Sequence, residues 1–245
     1  SITQTPVWQP HYTSIDEIMA KASGLQLGDR IKLISVLFKV YEDAFKGDQE
    51  KSFNTFDRFY HWGDMLISDF DMIDKYMINA NNLLRNITDI KEIEADLSYI
   101  NVDLQKIIKF WSNVLPDVSL SEQKQRFLKV WEKLPTIYEN FRQALKDEGI
   151  GYAGMLYRAT AKRIQDGENL NLEHKRYIIA GFNALSESEK ILFNYLKSEH
   201  NAEFYWDYDN YYVDNHGHEA GRFLRPNLKS YAPKSEISHT NFSTT

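Results

Sequence analysis

Apolar residues along this chain recur mostly at intervals of three and four, the spacing that lines them up on one face of an α-helix. Ser14, followed three residues later by Glu17, has the form of a capping box and opens a short helix that Gly24 closes. A second helix is predicted from Asp29, with Ile31, Ile34, Leu37, Phe38, Tyr41 and Phe45 on one face and Gly47 as its stop. Across 49–78 the positions Phe56, Phe59, Leu66, Phe70, Ile73 and Met77 keep the same rhythm. This predicts one long, aromatic-faced helix in which Gly63 is the weak helix former. Further helical patterns cover 88–99, then 103–111 ahead of Pro116, and 121–145, where Pro135 is expected to kink or divide the helix.

After Gln165 the pattern changes. Asp166-Gly167-Glu168-Asn169 reads as a polar turn, and 176–182 is a short apolar run with β-branched residues, the mark of a buried strand. Ser186 and Glu189 have capping-box spacing ahead of a helix carrying Ile191, Leu192, Tyr195 and Leu196, and a second strand is predicted at 202–206. Strand, helix and strand in so few residues make a βαβ unit, which implies parallel strands. The expected fold is therefore mainly α with a small α/β part, and no internal repeat is visible. The segment 231–245, rich in Ser, Thr and Lys, is expected to be a fraying tail.

Composition narrows the class. The 245 residues contain 29 Lys and Arg against 35 Asp and Glu, a net charge of −6, which argues against a polycationic nucleic-acid binder but leaves room for a local basic groove. Without cysteine there is neither a disulfide nor a thiolate zinc site, and a chain of this length can bury a core without them. The longest apolar runs are interrupted by Lys32, Ser35 and Lys39, so none can cross a bilayer, and no membrane partner is expected. The first residues show no signal-peptide pattern, which makes the cytoplasm the expected location.

Motifs with a known mechanism are mostly missing. No glycine is followed by lysine, so the phosphate-binding loop G-x-x-x-x-G-K-[ST] is absent, as are G-x-S-x-G and H-E-x-x-H. The densest polar cluster is 207–219, directly after the second predicted strand, where ligands of parallel sheets usually sit. Asp207, Asp209, His216 and His218 could ligate a divalent metal there, or form an ordinary polar loop leading into a helix. His61, between Tyr60 and Trp62, reads as a partly buried structural histidine rather than a base. The row Phe56, Phe59, Trp62 and Phe70 reads as core rather than as a platform for nucleic-acid bases. Arg58, Lys75, Arg85, Arg126, Lys129 and Arg142 are scattered, as on a solvated surface.

Several segments resemble a family. Phe59, Trp62, Gly63, Leu66, Ile67, Asp69, Phe70, Ile73 and Asp74 fit the segment F-x-x-W-G-x-x-L-L-x-D-F-x-x-I-D of AddB-type subunits, the helicase-like, nuclease-bearing partners in bacterial ATP-dependent exonucleases. The likeness is to the large PD-(D/E)XK nuclease family proteins of Bacteroidetes. In the same order, 11–18 is similar to their T-x-x-x-F/I segment, 151–158 to x-Y-x-G-x-x-Y-R, and 181–189 to G-F-x-x-L-T-x-x-E. Residues 204–212 resemble the helicase element G-D-x-x-Q-S-I-Y, with Asp207 and Asp209 kept, Trp206 in place of Gly and Asn210 in place of Gln.

The resemblance implies a degenerate RecA-like (P-loop NTPase-like) lobe made by 1–45 and 165–230, with 46–164 as a large helical insertion of the 1B type. Where superfamily 1 helicases carry the acidic pair that holds magnesium, this chain has Ala180 and Gly181, degenerate Walker B positions that leave an inactive ATPase. It implies a fragment, with any phosphate loop upstream of Ser1 and the nuclease motif downstream of Thr245. The expected role is a non-catalytic scaffold and DNA-channel segment of an exonuclease in double-strand-break repair and recombination. Its partners would be single-stranded or duplex-end DNA and a motor helicase/nuclease subunit of AddA type. DNA contacts are expected at Thr13, Ser14 and Asn210. No catalytic residue and no cofactor is expected in the fragment, while the parent's nuclease domain would use Mg2+. The alternatives are a metal-dependent hydrolase at Asp207, Asp209, His216 and His218, and a helical protein–protein adaptor.

Overall fold

The computed structural model describes residues 9–47, 53–88, 120–214, 217, 219 and 221–233. The helix expected at 88–99, from 89 onward, the helix expected at 103–111, the residues His216 and His218, and the chain from 234 onward lie outside the described residues. The chain divides into two compact units, Ser1–Tyr157 and Arg158–Thr245. Among the described residues the fold is mainly helical, with two small two-stranded parallel sheets.

In the first unit, α1 (Ile15–Ser23) starts on the predicted capping box of Ser14 and Glu17 and ends at Gly24, whose φ of +75° suits a residue without a Cβ. Strand β1 (Gln26–Leu27) leads to α2 (Arg30–Ala44), capped by the Asp29 carboxylate, which accepts from the Ile31 and Lys32 amides. Helix α3 (Phe56–Lys75) begins at Phe56, later than the hydrophobic rhythm predicts, because Thr55 is extended and serves as the N-cap position. Helix α4 (Ala80–Thr88) follows. Helix α5 (Leu120–Asp147) runs through Pro135 without dividing. Strand β2 (Ile150–Gly151) pairs in parallel with β1, and α6 (Ala153–Gln165) contains the boundary between the units.

The core of this unit is aromatic. Leu33, Ile34, Leu37 and Tyr41 of α2 meet Phe59, Trp62, Ile67 and Phe70 of α3 and Leu134, Ile137 and Phe141 of α5. Phe53 stacks on Trp62 with centroids 5.2 Å apart, and the Phe53 amide donates to the Tyr41 hydroxyl. Phe59, Trp62 and Phe70 are thus core residues, as their spacing predicts. Ile31, by contrast, is 60% exposed, since the buried stripe of α2 passes through Leu33 and Ile34 instead. His61 is exposed rather than partly buried, on the side of α3 away from the stripe.

In the second unit, β3 (Ile178–Ala180), α7 (Glu187–Glu199) and β4 (Glu203–Tyr205) form the predicted βαβ unit, with Ile178, Ile179 and Ala180 in parallel register with Glu203, Phe204 and Tyr205. Short helices α8 (Asn210–Asp214) and α9 (Gly221–Ser230) follow. Ile179 and Phe204 are buried on one face of the sheet, with Phe193 of α7 and Tyr231 packed around Phe204. The other face leaves Ile178 63% exposed. Tyr231, which composition assigns to the tail, is buried: its carbonyl accepts from the Trp206 indole at 2.7 Å and its hydroxyl donates to the Lys190 carbonyl.

The loop between β3 and α7 is fixed by its own chemistry. Gly181 turns the chain at φ +83°, and the Ser186 amide and hydroxyl both donate to the Glu189 carboxylate while the Ser186 hydroxyl accepts from the Glu189 amide. Ser186→Ala is expected to remove about 1 kcal/mol of stability. A urea midpoint indistinguishable from the wild type would show that this box does not hold α7.

Candidate functional site

Each residue expected to carry function can now be placed. Thr13 and Ser14 stand at the start of α1, where the Thr13 hydroxyl donates to the Glu17 carboxylate at 2.6 Å and the Ser14 oxygen accepts from the Glu17 amide. The Thr13 bond, and then the Ser14 amide, hold the Glu17 carboxyl below its usual pKa. Asp16 accepts from the Tyr157 hydroxyl at 2.6 Å. A phosphate approaching these hydroxyls therefore meets two carboxyl groups in the first helical turn.

Ala180 closes β3 and Gly181 follows it, and Asp207 and Asp209 follow β4, so they lie toward the carboxyl end of the same parallel pair. Asp209 is engaged in local structure: its carboxylate accepts from the Tyr211 amide at 2.8 Å at the start of α8. Asn210 is the first residue of that helix, beside exposed Asp207 and Asp209, with Asp214 exposed at its far end. Among the described residues no group of three or more His, Asp and Glu could hold a metal ion; His216 and His218 lie outside them.

The most elaborate polar arrangement was not anticipated as a site. Asp74, fully buried at the end of the apolar stripe of α3, accepts a hydrogen bond from the Tyr138 hydroxyl of α5 at 2.5 Å and another from the Tyr152 hydroxyl beside β2. Arg142 of α5 places its Nε 3.5 Å from the same carboxyl group, and its side chain is only 13% exposed. It is therefore not the solvated surface cation that its scattered position suggests. Burial pushes the Tyr152 phenol well up, and the neighbouring Asp74 charge pushes it further. Burial alone would lower the Arg142 pKa, but Asp74, with Tyr138 and Tyr152, raises it.

One turn earlier, the Asp71 carboxylate accepts from the Gly154 amide at 2.5 Å and from Lys75 at 2.8 Å, and Lys75 in turn lies over the Tyr157 ring. The segments 59–74 and 151–157 thus meet in one joint of α3, α5 and the start of α6. Phe70 packs against Tyr138 and Phe141 there and Phe141 stacks on Tyr152, while Asp71 and Asp74 receive Gly154 and Tyr152. The arrangement holds helices together; it presents no open coordination or reacting position.

Each unit has a cleft lined by described residues. In the first unit Leu27, Leu33, Met72 and Tyr152 line a cleft of about 460 Å³ with Arg30, Ser68 and Asp71 at its rim, where Arg30 is bound to Asp64 at 2.5 Å and to Ser68 at 3.0 Å. In the second unit a cleft of about 630 Å³ lies at the amino end of β4, lined by Arg176, Lys197, Asn201, Glu203, Phe204 and Tyr231. Its polar residues come from three separate stretches of sequence, which is why no local motif marks it.

Comparison of the chain with protein-family models, with curated proteins and with solved structures found no match.

Proposed function

We propose that this chain is a non-catalytic, helicase-like scaffold and DNA-channel segment of an ATP-dependent exonuclease acting in double-strand-break repair and recombination. What supports the reading is a parallel strand–helix–strand unit whose first strand ends at Ala180 and is followed by Gly181, the two residues that the family resemblance aligns with the acidic pair of a nucleotide-hydrolysing lobe. Neither residue can ligate magnesium or polarise water. The backbone at Gly181, with φ of +83°, also suits glycine better than aspartate. The parallel pair leaves Ile178 exposed on one face, whereas parallel sheets are normally covered on both, which favours a piece of a larger RecA-like sheet.

In this proposal 165–230 belong to a degenerate lobe, whereas 30–44 share a core with the helices of 56–75 and 120–147 and go with the helical part. The partners are a single strand or duplex end of DNA and an AddA-type motor subunit. Thr13, Ser14 and Asn210 are the proposed DNA contacts, each beside acidic neighbours that keep the interaction weak.

Two measurements test it. The chain is expected to show no ATP turnover above a mock purification, since both the loop and the acids are missing; turnover that tracks the purified protein would refute the inactive lobe. It is also expected to bind labelled dT20 weakly at low ionic strength and to release it as salt rises, with little dependence on base sequence. An anisotropy titration flat at the lowest salt would remove the channel role and leave a scaffold.

A further inference from the structure

The two ends of the β3–β4 pair carry different charged groups. Beyond the carboxyl end of β4 stand exposed Asp207, Asp209 and Asp214, with Asn210 among them and Arg225 bound to the Tyr212 and Val213 carbonyls, so acids outnumber the cation there. At the amino end, Arg176 and Lys197 line the cleft of about 630 Å³ together with Asn201 and one acid, Glu203. Glu203 is already committed: its carboxylate takes Arg176 Nη2 at 2.6 Å, and its side chain is only 12% exposed. The Arg176 side chain is 59% exposed and has five N–H groups, of which that contact involves one nitrogen. Lys197 donates to the Ser230 carbonyl at 2.9 Å, a neutral partner that leaves its charge uncompensated by this bond. The cleft thus carries two cations against one acid in a chain whose net charge is −6.

A polyanion follows potential, and a cleft in which cations outnumber acids draws it. From this polarity we infer that a nucleic-acid strand contacts the second unit at the amino end of the β3–β4 pair, its phosphates held by Arg176, Lys197 and the Asn201 amide, and not over the acidic carboxyl end where Asn210 stands. The inference rests on the channel reading proposed above and moves its contact in the second unit from Asn210 to this cleft. Arg176 offers planar paired donors and Lys197 a point charge, a combination that suits phosphodiester oxygens rather than base edges, so the contact is indifferent to sequence.

The test uses the whole chain and 5′-labelled dT20 in anisotropy titrations over a range of salt. Arg176→Gln/Lys197→Gln is expected to weaken binding by about tenfold or more at low salt and to flatten the logarithmic salt dependence by roughly 1.4, two phosphate contacts at about 0.7 each. Lys39→Gln/Lys46→Gln, which removes the same charge from the first unit, is expected to change binding less than about twofold. Circular dichroism and urea midpoints check that both variants stay folded, and Lys197→Gln alone, which spares the Arg176–Glu203 pair, should give an intermediate loss. Equal losses in the two double variants would overturn the inference while leaving the channel reading intact. Absence of binding by the wild type would overturn both. Displacement of dT20 by micromolar pyrophosphate would make the cleft a site for free phosphate and likewise overturn it.

Discussion

Asp74→Ala is expected to lower the stability of the first unit by about 3–5 kcal/mol, the range found when one partner of a buried charged pair is removed. The carboxyl group is fully buried and receives the Tyr138 and Tyr152 hydroxyls, with Arg142 3.5 Å away. Deleting it removes the acceptor of two buried phenols and the opposite charge facing a largely buried guanidinium. Asp74→Asn retains one carbonyl acceptor but loses the charge facing Arg142 and turns an NH2 group toward a donor; about 2 kcal/mol is expected for it. Urea midpoints followed by far-ultraviolet circular dichroism rank the three proteins. An Asp74→Ala midpoint matching the wild type would mean that Asp74 does not organise the joint.

The same cluster sets an alkaline limit. The Tyr152 phenol is raised in the folded chain, so the folded state keeps this proton at a pH where the unfolded chain, near its ordinary value of about 10, is losing it. Its contribution is whole below about pH 10 and is lost as pH climbs through the folded value. Tyr152→Phe should remove that alkaline dependence, at the cost of one hydrogen bond to Asp74.

Local signals were legible wherever the physics is local. The capping boxes at Ser14 and Ser186, the Asp29 cap and the buried face of α3 follow from spacing alone, because each is decided within one helical turn. The βαβ unit was legible too, since an apolar β-branched run and an amphipathic stretch alternate there. What stayed hidden depends on distant partners. β1 and β2 are two residues each and mostly exposed or half-exposed, too short for any period, and are joined by residues more than a hundred positions apart. Asp74 breaks the apolar stripe of α3, and only the positions of Tyr138, Arg142 and Tyr152 turn that break into a joint. Pro135 was expected to kink or divide α5; the helix is not divided there, because flanking Leu134 and Ile137 are buried in the core and packing outweighs the lost hydrogen bond. The Arg176–Lys197 cleft was invisible for the same reason as the joint: its cations lie on separate elements and converge only in the fold.

Gly154→Ala is expected to be as damaging as the loss of Asp74. A Cβ at this position would overlap the Asp71 carbonyl oxygen and lie 2.8 Å from the Asp71 Cα and 2.9 Å from its carbonyl carbon. These are backbone atoms near the end of α3, which cannot rotate away as a side chain could, so α6 must lift off. Lifting also breaks the bond from the Gly154 amide to the Asp71 carboxylate and, two residues earlier, pulls the Tyr152 hydroxyl from Asp74. Overpacking at about 1–3 kcal/mol, added to a charge-assisted hydrogen bond of about 1.5–3 kcal/mol, gives an expected loss of about 3 kcal/mol or more. Gly167→Ala is the contrast: its φ of +77° strains an alanine, but a Cβ there meets nothing within 4 Å, and about 1–2 kcal/mol is expected. Because Gly154 and Asp74 act on the same joint, the double variant Gly154→Ala/Asp74→Asn should lose clearly less than the sum of the single losses. Additive losses would mean that the 151–157 segment and the aspartates of α3 stabilise the unit independently, and the joint would not exist as a unit.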